Sequence, residues 1–229
     1  MAKFVVEFGK DSAPPAADGR LETPTFQRNH EAIWSALSPI LATESGDVLE
    51  LGSGTGQHVA EFAGHAPHLI WWPSDIMDAH LTSIAAWRKQ TGLANLRAPQ
   101  RIDLTNPDWT WQGESGSGGP LAAMTCSNVL HISPWVVSQN LIGGAGRLLR
   151  PGAHHFIYGP FKRGGEHIAP SNAEFDASLR ARNPAWGVRD VDDLAALAKD
   201  TGLTPTDTIA MPANNFVLVF ARSGGRAAR

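Results

Sequence analysis

One stretch limits the folds open to this chain more than any other: Asp47-Val48-Leu49-Glu50-Leu51-Gly52-Ser53-Gly54-Thr55-Gly56-Gln57-His58. Val48, Leu49 and Leu51 form a short apolar run with an acidic residue inside it. The chain then turns glycine-rich, and Gln57 to Phe62 continues as a plausible helix. A buried strand, a tight glycine turn and a helix open a nucleotide-binding βαβ unit. Glycine has no Cβ, so such a turn can take positive φ and let a ligand approach the main chain closely.

The 229 residues suffice for one α/β domain with a sizeable core and are few for two. With 42% hydrophobic and 18% charged residues, the chain is globular rather than disordered. A net charge of -3 and the lack of a basic run speak against a nucleic-acid partner. One cysteine, Cys126, permits no intrachain disulfide and fits a reducing compartment. No apolar run is long enough to span a bilayer, and Phe4-Val5-Val6 is too short for a signal peptide. A cytoplasmic enzyme that is monomeric or homodimeric, with no membrane partner, is therefore expected. The tryptophans would either face a small-molecule pocket or fill the core.

The rest of the chain extends the pattern. Residues 1–25 read as an arm or lid, 26–222 as one domain with an insertion at 161–190, and 223–229 as a flexible tail. Phe4 to Phe8 is a strand or an extended arm. Phe26 to Leu37 is expected to be helical, capped by Asn29 and kinked or ended by Pro39. A second strand over His68 to Pro73 ends at Ser74-Asp75. Ligands of open parallel sheets lie at the carboxyl ends of strands. Asp75 there either accepts hydrogen bonds from both hydroxyls of a ribose or caps the helix expected over Met77 to Gln90. A short third strand at Leu96 to Pro99 precedes Gln100 to Leu104, and Gln112 to Pro120 is a surface loop. The fourth strand, Leu121 to His131, is apolar early and polar late, as where a buried strand emerges at a site. Ser133 is a candidate N-cap, with Pro134 at the first position of a helix closed by Arg150-Pro151-Gly152. His154 to Pro160 is the fifth strand. Asp190 to Thr201 is the last helix, with Gly202 as its C-cap. Leu203 to Met211 and Asn214 to Phe220 are the final strands.

The spacing Glu-x-Gly-x-Gly-x-Gly at Glu50 to Gly56 resembles motif I of the class I S-adenosylmethionine-dependent methyltransferases. The resemblance then narrows. Arg28-Asn29, Glu50 to His58, Pro73-Ser74-Asp75, and Asn128 with His131-Ile132-Ser133-Pro134-Trp135 are similar to the DUF938 family, also called UPF0585. So are Ser171-Asn172 through Phe175-Asp176 to Ser178-Leu179-Arg180, Asn183-Pro184 with Trp186-Gly187, Arg189-Asp190, and Met211 to Asn215. These methyltransferase-like proteins match nearly the whole chain after a leader that looks longer than usual for them, an extra lid or a dimer arm. The resemblance implies a Rossmann-like class I methyltransferase fold: α/β, a mostly parallel seven-stranded sheet with an antiparallel last strand, and helices on both faces. It implies S-adenosylmethionine as cofactor, with Glu50, Gly52, Ser53, Gly54, Gly56 and His58 toward its amino-acid part. Asp75 would take the ribose. Asp103, with Ile102 or Leu104, would clamp the adenine. Arg28 and Asn29 would stand at the mouth, and Asn128 and Val129 would line the exit of the fourth strand.

Methyl transfer from a sulfonium is an in-line displacement that needs an oriented nucleophile, a dry site and, for some acceptors, a base. His131, leaving the fourth strand, is the first candidate base, or else a structural histidine. Tyr158 either bonds the substrate or packs its ring. The stretch Phe161 to Asp190 reads as a substrate lid hinged at Gly164-Gly165. Its candidate substrate residues are Glu166, His167, Asn172, Asp176, Arg180, Trp186 and Arg189, joined by Asn215. The lid arginines point to a small anionic molecule, and no metal is expected. A non-catalytic module that binds the cofactor or a partner on the same fold is the alternative.

Overall fold

The computed structural model describes residues 14–114, 116 and 118–224. The arm at Phe4 to Phe8, Ser115 and Ser117 of the surface loop, and the end of the tail lie outside the described residues. Helix α1 (Pro24–Leu41) leads into β1 (Gly46–Leu51), α2 (Gln57–His65), β2 (Leu69–Asp75), α3 (Asp78–Thr91) and β3 (Gln100–Arg101). Then follow β4 (Leu121–Ser127), α4 (Trp135–Leu148), β5 (Leu149–Gly159), β6 (Phe161–Arg163), β7 (Glu166–His167) and α5 (Pro170–Arg182). β8 (Arg189–Asp190), α6 (Val191–Lys199), β9 (Leu203–Met211) and β10 (Asn215–Arg222) complete the chain.

Neighbouring residues of each central strand point into opposite cores. Val48, Trp71, Ala123, Phe156 and Val217 enter one, and Leu49, Trp72, Met124, Ile157 and Leu218 the other. A sheet that is apolar on both faces has to be covered on both. Ile33 and Leu37 of α1 and Val59 and Phe62 of α2 cover the first face, and Leu141 of α4 and Leu194 of α6 the second. The strand order is β3-β2-β1-β4-β5-β10-β9. β1 to β5 pair in parallel, and β10 runs antiparallel to both β5 and β9. The expected class I methyltransferase sheet is thus present. A small second sheet, β7-β6-β8, holds the segment expected to be a lid.

Several local expectations differ from the structure for physical reasons. Helix α1 starts at Thr23-Pro24, where the Thr23 hydroxyl accepts from Thr25 N at 3.3 Å, so Asn29 is an interior residue and not the cap. Pro39 does not end the helix, which runs two residues further to the fully buried Leu41. β4 stops at Ser127: Asn128 takes φ 60°, and a 3₁₀ turn over Leu130 to Ile132 follows. The left-handed region is open to asparagine more than to most residues. The Ser133 hydroxyl donates back to Val129 O at 2.8 Å, so Pro134 rather than Ser133 stands at the N-cap of α4. Arg150-Pro151-Gly152 belongs to β5 rather than to a helix end. Gly202 lies beyond the C-cap of α6, which is Asp200.

The adjacent glycines of α4 face different surroundings. A Cβ on Gly144 would stand 2.0 Å from Trp109 Cζ2, whereas one on Gly143 would meet nothing within 4 Å. Gly143→Ala should raise the urea-unfolding free energy by about 0.5–1 kcal/mol by removing backbone freedom. Gly144→Ala should lower it by roughly 1–3 kcal/mol by displacing the Trp109 ring. Equal effects of one sign would refute this packing.

Candidate functional site

A cavity of about 330 Å³ opens where β1, β2, β3 and β4 end. The glycine turn forms its floor. Gly52, Gly54 and Gly56 have φ of 69°, 56° and 88°, a conformation that residues with a Cβ rarely adopt. Two of these glycines are also needed for close packing: a Cβ on Gly52 would lie 2.5 Å from Val129 Cγ2, and one on Gly56 2.9 Å from Ile84 Cα. A Cβ on Gly54 would meet nothing within 4 Å and would point into open space. The turn is tied to the end of β2 by Ser53 N donating to Ser74 O at 2.8 Å and Gly54 N to Asp75 Oδ2 at 2.9 Å.

Three carboxylates face this space. Glu50 is 2% exposed, and its Oε2 is sealed in the protein without a hydrogen-bond partner. Burial pushes its pKa up to about 7, with the Ser53 hydroxyl opposing and the Asp75 charge adding to the rise. Asp75 Oδ1 accepts from Met77 N at 3.0 Å and lies 3.0 Å from His80 Nδ1, so Asp75 shapes the turn into α3 besides lining the cavity. Asp103 is exposed between the buried Ile102 and Leu104, and its Oδ1 accepts from Thr105 N and Thr105 Oγ1. No lysine or arginine lines the cavity among the described residues.

Of the expected cofactor residues, Glu50, Gly52, Ser53, Gly54, His58, Asp75, Ile102 to Leu104, Asn128 and Val129 all line this one space. Gly56 does not, because it packs on Ile84. Arg28 is exposed and donates to Thr25 Oγ1 at 3.3 Å. Asn29 is buried one layer behind the cavity, with Oδ1 2.8 Å from His58 Nε2. Sequence reasoning missed Thr23, Thr25, Ile76, His80 and the Ile132-Ser133-Pro134 wall. Thr23-Pro24 is a readable helix start, and His80 shares the buried face of α3 with Ser83 and Ile84.

His131 and Tyr158 stand outside the cavity lining. The His131 ring packs edge-on against Phe175 at 5.4 Å, and burial, with the charge of Arg189, lowers its pKa to about 4. Burial raises the pKa of the Tyr158 hydroxyl, opposed by the Asn29 amide and the charge of Arg28. None of the eight tryptophans lines the cavity.

Among the lid candidates, His167 and Arg180 meet Asp176, and Asn172 and Arg189 bond backbone carbonyls. Asp176, 5% exposed, accepts from Val188 N at 2.7 Å and Arg180 Nε at 3.1 Å, and lies 3.3 Å from Lys162 Nζ and 3.2 Å from His167 Nε2. Burial alone would raise its pKa, but these donors and charges hold it below the usual carboxylate range. Arg189 donates to the carbonyls of Leu130, Ser133 and Ala185. Trp186 is buried with Val188 and Leu179, against Ile132. Asn172 donates to Asn214 O at 3.0 Å, and Asn215 to Pro212 O at 3.1 Å. Glu166 is exposed on β7. Gly164 and Gly165 form a hairpin turn, not a hinge, with their amides held by Asp192 and Asp190. Of the two arginines that pointed to an anionic molecule, Arg189 braces the 3₁₀ turn from behind and Arg180 is paired with Asp176.

Comparison with known proteins agrees with the fold. Residues 20–222 match the family described as "Protein of unknown function (DUF938)". An O-methyltransferase family protein from Burkholderia thailandensis superposes with a TM-score of 0.68 at 16% identity, over 86% of this chain and 59% of that one. A candidate sarcosine dimethylglycine methyltransferase from Galdieria sulphuraria gives 0.67 at 14%, over 91% and 94%. Human N-acetylserotonin methyltransferase, solved with SAM, gives 0.66 at 12%, over 87% and 53%. The chain thus spans 59% and 53% of the length of the bacterial and human proteins. At such identities the likeness concerns the fold, which is that of Rossmann-like methyltransferases. No helix among the described residues is long and apolar enough to cross a membrane.

The two lid arginines should differ in what they contribute. Arg189→Ala should cost about 2–4 kcal/mol in urea unfolding, because it leaves buried carbonyls without their charged donor. Arg180, whose side chain is 47% exposed, should cost under about 1 kcal/mol when changed to Ala. A reversed order would show that the cap is held another way.

Glu50 makes stability depend on pH with a definite sign. Its folded pKa lies above the unfolded value, so it contributes nothing below about pH 4.5 and destabilises increasingly as pH rises to about 7. Glu50→Gln should match the parent protein near pH 4 and exceed it by on the order of 3 kcal/mol near pH 8. Urea unfolding of the ligand-free protein across that range measures the difference, and a flat one would refute the raised pKa.

Proposed function

Because this chain belongs to the DUF938 family, whose description leaves the activity open, we propose its function from the site: transfer of a methyl group from S-adenosylmethionine to a small molecule. One observation carries this reading. The glycine turn leaves Gly54 open to a cavity lined by Glu50, Asp75 and Asp103, with no lysine or arginine in its lining among the described residues. Such a lining fits a ligand that brings positive charge and hydrogen-bond donors. S-Adenosylmethionine, when bound, supplies an activated methyl group on a positively charged sulfur.

The residues present fit that group. Asp75 Oδ2 keeps acceptor capacity beyond its Gly54 N donor, enough for a ribose hydroxyl, while Oδ1 is engaged by Met77 N and His80. Ile102 and Leu104 offer apolar surface to an adenine, and Asp103 Oδ2 remains for its exocyclic amine. Ile132, Pro134 and Val137 form an apolar wall against which an acceptor can be oriented and water excluded. We assign His131 and Tyr158 no contact with the reacting atoms, so catalysis here rests on orientation and desolvation. Their absence from the lining also favours a second reading, a non-catalytic cofactor-binding module. A cytoplasmic location belongs to the same proposal and is supported by the single, buried thiol.

Isothermal calorimetry with S-adenosylmethionine and S-adenosylhomocysteine tests the cofactor reading. The protein should bind both, and Gly54→Val should lose binding by at least about a hundredfold while keeping its circular dichroism spectrum. The side chain at φ 56° should cost on the order of 1–3 kcal/mol locally. No binding by the parent protein, or undiminished binding by the variant, overturns the reading. Methyl transfer to any member of a small-molecule panel decides between enzyme and binding module.

A further inference from the structure

Asn29 is an unusual residue for the middle of a buried helical face. It is 6% exposed, lies beyond the reach of the α1 cap, and has Oδ1 2.8 Å from His58 Nε2. Buried asparagines are retained where their amide is used. A carboxamide oxygen only accepts, so His58 Nε2 is the donor. The other nitrogen of a neutral imidazole then carries a lone pair.

The His58 ring is held firmly. Phe26 meets it edge-on at 5.1 Å, and Phe62 is tilted against it at 5.7 Å. Its surroundings keep it neutral: burial, then the neighbouring His30, lower its pKa to about 4. Asn29 Nδ2 is on the sealed side, toward Tyr158, without an acceptor in bonding geometry. His58 Nδ1 is not among the sealed, unpartnered atoms and has no partner among the described residues. His58 lines the cavity.

That cavity therefore offers an acceptor that awaits a donor, His58 Nδ1, alongside the Glu50 carboxyl group, and its lining brings no lysine or arginine to meet them. A ligand group with several N–H donors and a positive charge suits both; a carboxylate suits neither. Primary ammonium is that group. We propose that Asn29 is a positioning residue: it fixes His58 as the Nε2–H tautomer, so that Nδ1 accepts a hydrogen bond from the ammonium group of the bound cofactor. Asn29 has this role only if the cavity takes S-adenosylmethionine, and the opposite assignment, a cationic His58 holding the carboxylate of the cofactor, is excluded by it.

Long-range proton–nitrogen correlation spectra of the full-length protein, with His58 assigned from H58Q, test the tautomer without any ligand. The Nε2–H form is expected between about pH 5.5 and 8; an Nδ1–H form, or protonation within that range, overturns the proposal. S-Adenosylhomocysteine should then move the Nδ1 resonance, and methylthioadenosine, which lacks the amino-acid part, should leave it in place. N29A should lower affinity for S-adenosylhomocysteine about tenfold and leave methylthioadenosine within about twofold. A ring that responds to both nucleosides alike, or an equal loss of both in N29A, gives Asn29 a merely structural role and sinks the idea. Should N29A not fold, the two parent-protein spectra decide. Failure of the parent protein to bind either nucleoside refutes the cofactor reading and the ammonium contact together, whereas binding with an unmoved Nδ1 refutes the contact alone.

Discussion

The carboxyl edge of the sheet depends on Gly52 having no side chain. A methyl group there would stand 2.5 Å from Val129 Cγ2, so the turn after β1 and the exit of β4 could not lie so close together. Because they do, Ser53 and Gly54 reach the end of β2, and the Ser74 hydroxyl reaches back to Glu50 O at 2.7 Å. Three strand ends are thereby joined, and the cavity is the space they leave. Packing fixes this geometry, and electrostatics follows from it: Glu50 is 2% exposed at these strand ends, and burial raises its pKa.

The segment after β5 acts at one remove from that space. Arg189 is bonded to carbonyls of Leu130 and Ser133, and Gly187 N donates to His131 O at 3.0 Å. These contacts hold the outer side of the 3₁₀ turn, whose inner side carries Ile132 and Ser133 into the cavity. The cap is a folded layer with its own apolar centre at Leu179, Trp186 and Val188. Its polar residues set the position of a wall, and Asp176 is paired within the layer with Lys162 and Arg180.

Much of this was legible from residue order. Alternation along Val48-Leu49 and Trp71-Trp72 announces strands buried on both faces, and the glycine spacing announces a turn with positive φ. Glu50, Asp75 and the Ile102 to Leu104 segment were readable as neighbours because parallel strands bring their carboxyl ends to one edge. Less legible was what depends on partners far along the chain. Arg189 looked like a ligand for an anion, since its acceptors lie 59 and 56 residues away. The run Leu121 to His131 looked continuous, since Asn128 alone breaks it by its left-handed backbone. Pro39 looked like a helix end, since the burial of Leu41 that outweighs it is tertiary.

The placement of the tryptophans has an optical consequence. Trp71, Trp72, Trp109, Trp111 and Trp186 are buried, and none of the eight indoles borders the cavity. Intrinsic emission from this protein therefore reports on the two cores and the cap. A purine stacked in the cavity would quench it little, while loosening either layer would shift it toward the red. Fluorescence is a gauge of the scaffold here and is nearly blind to what the scaffold holds.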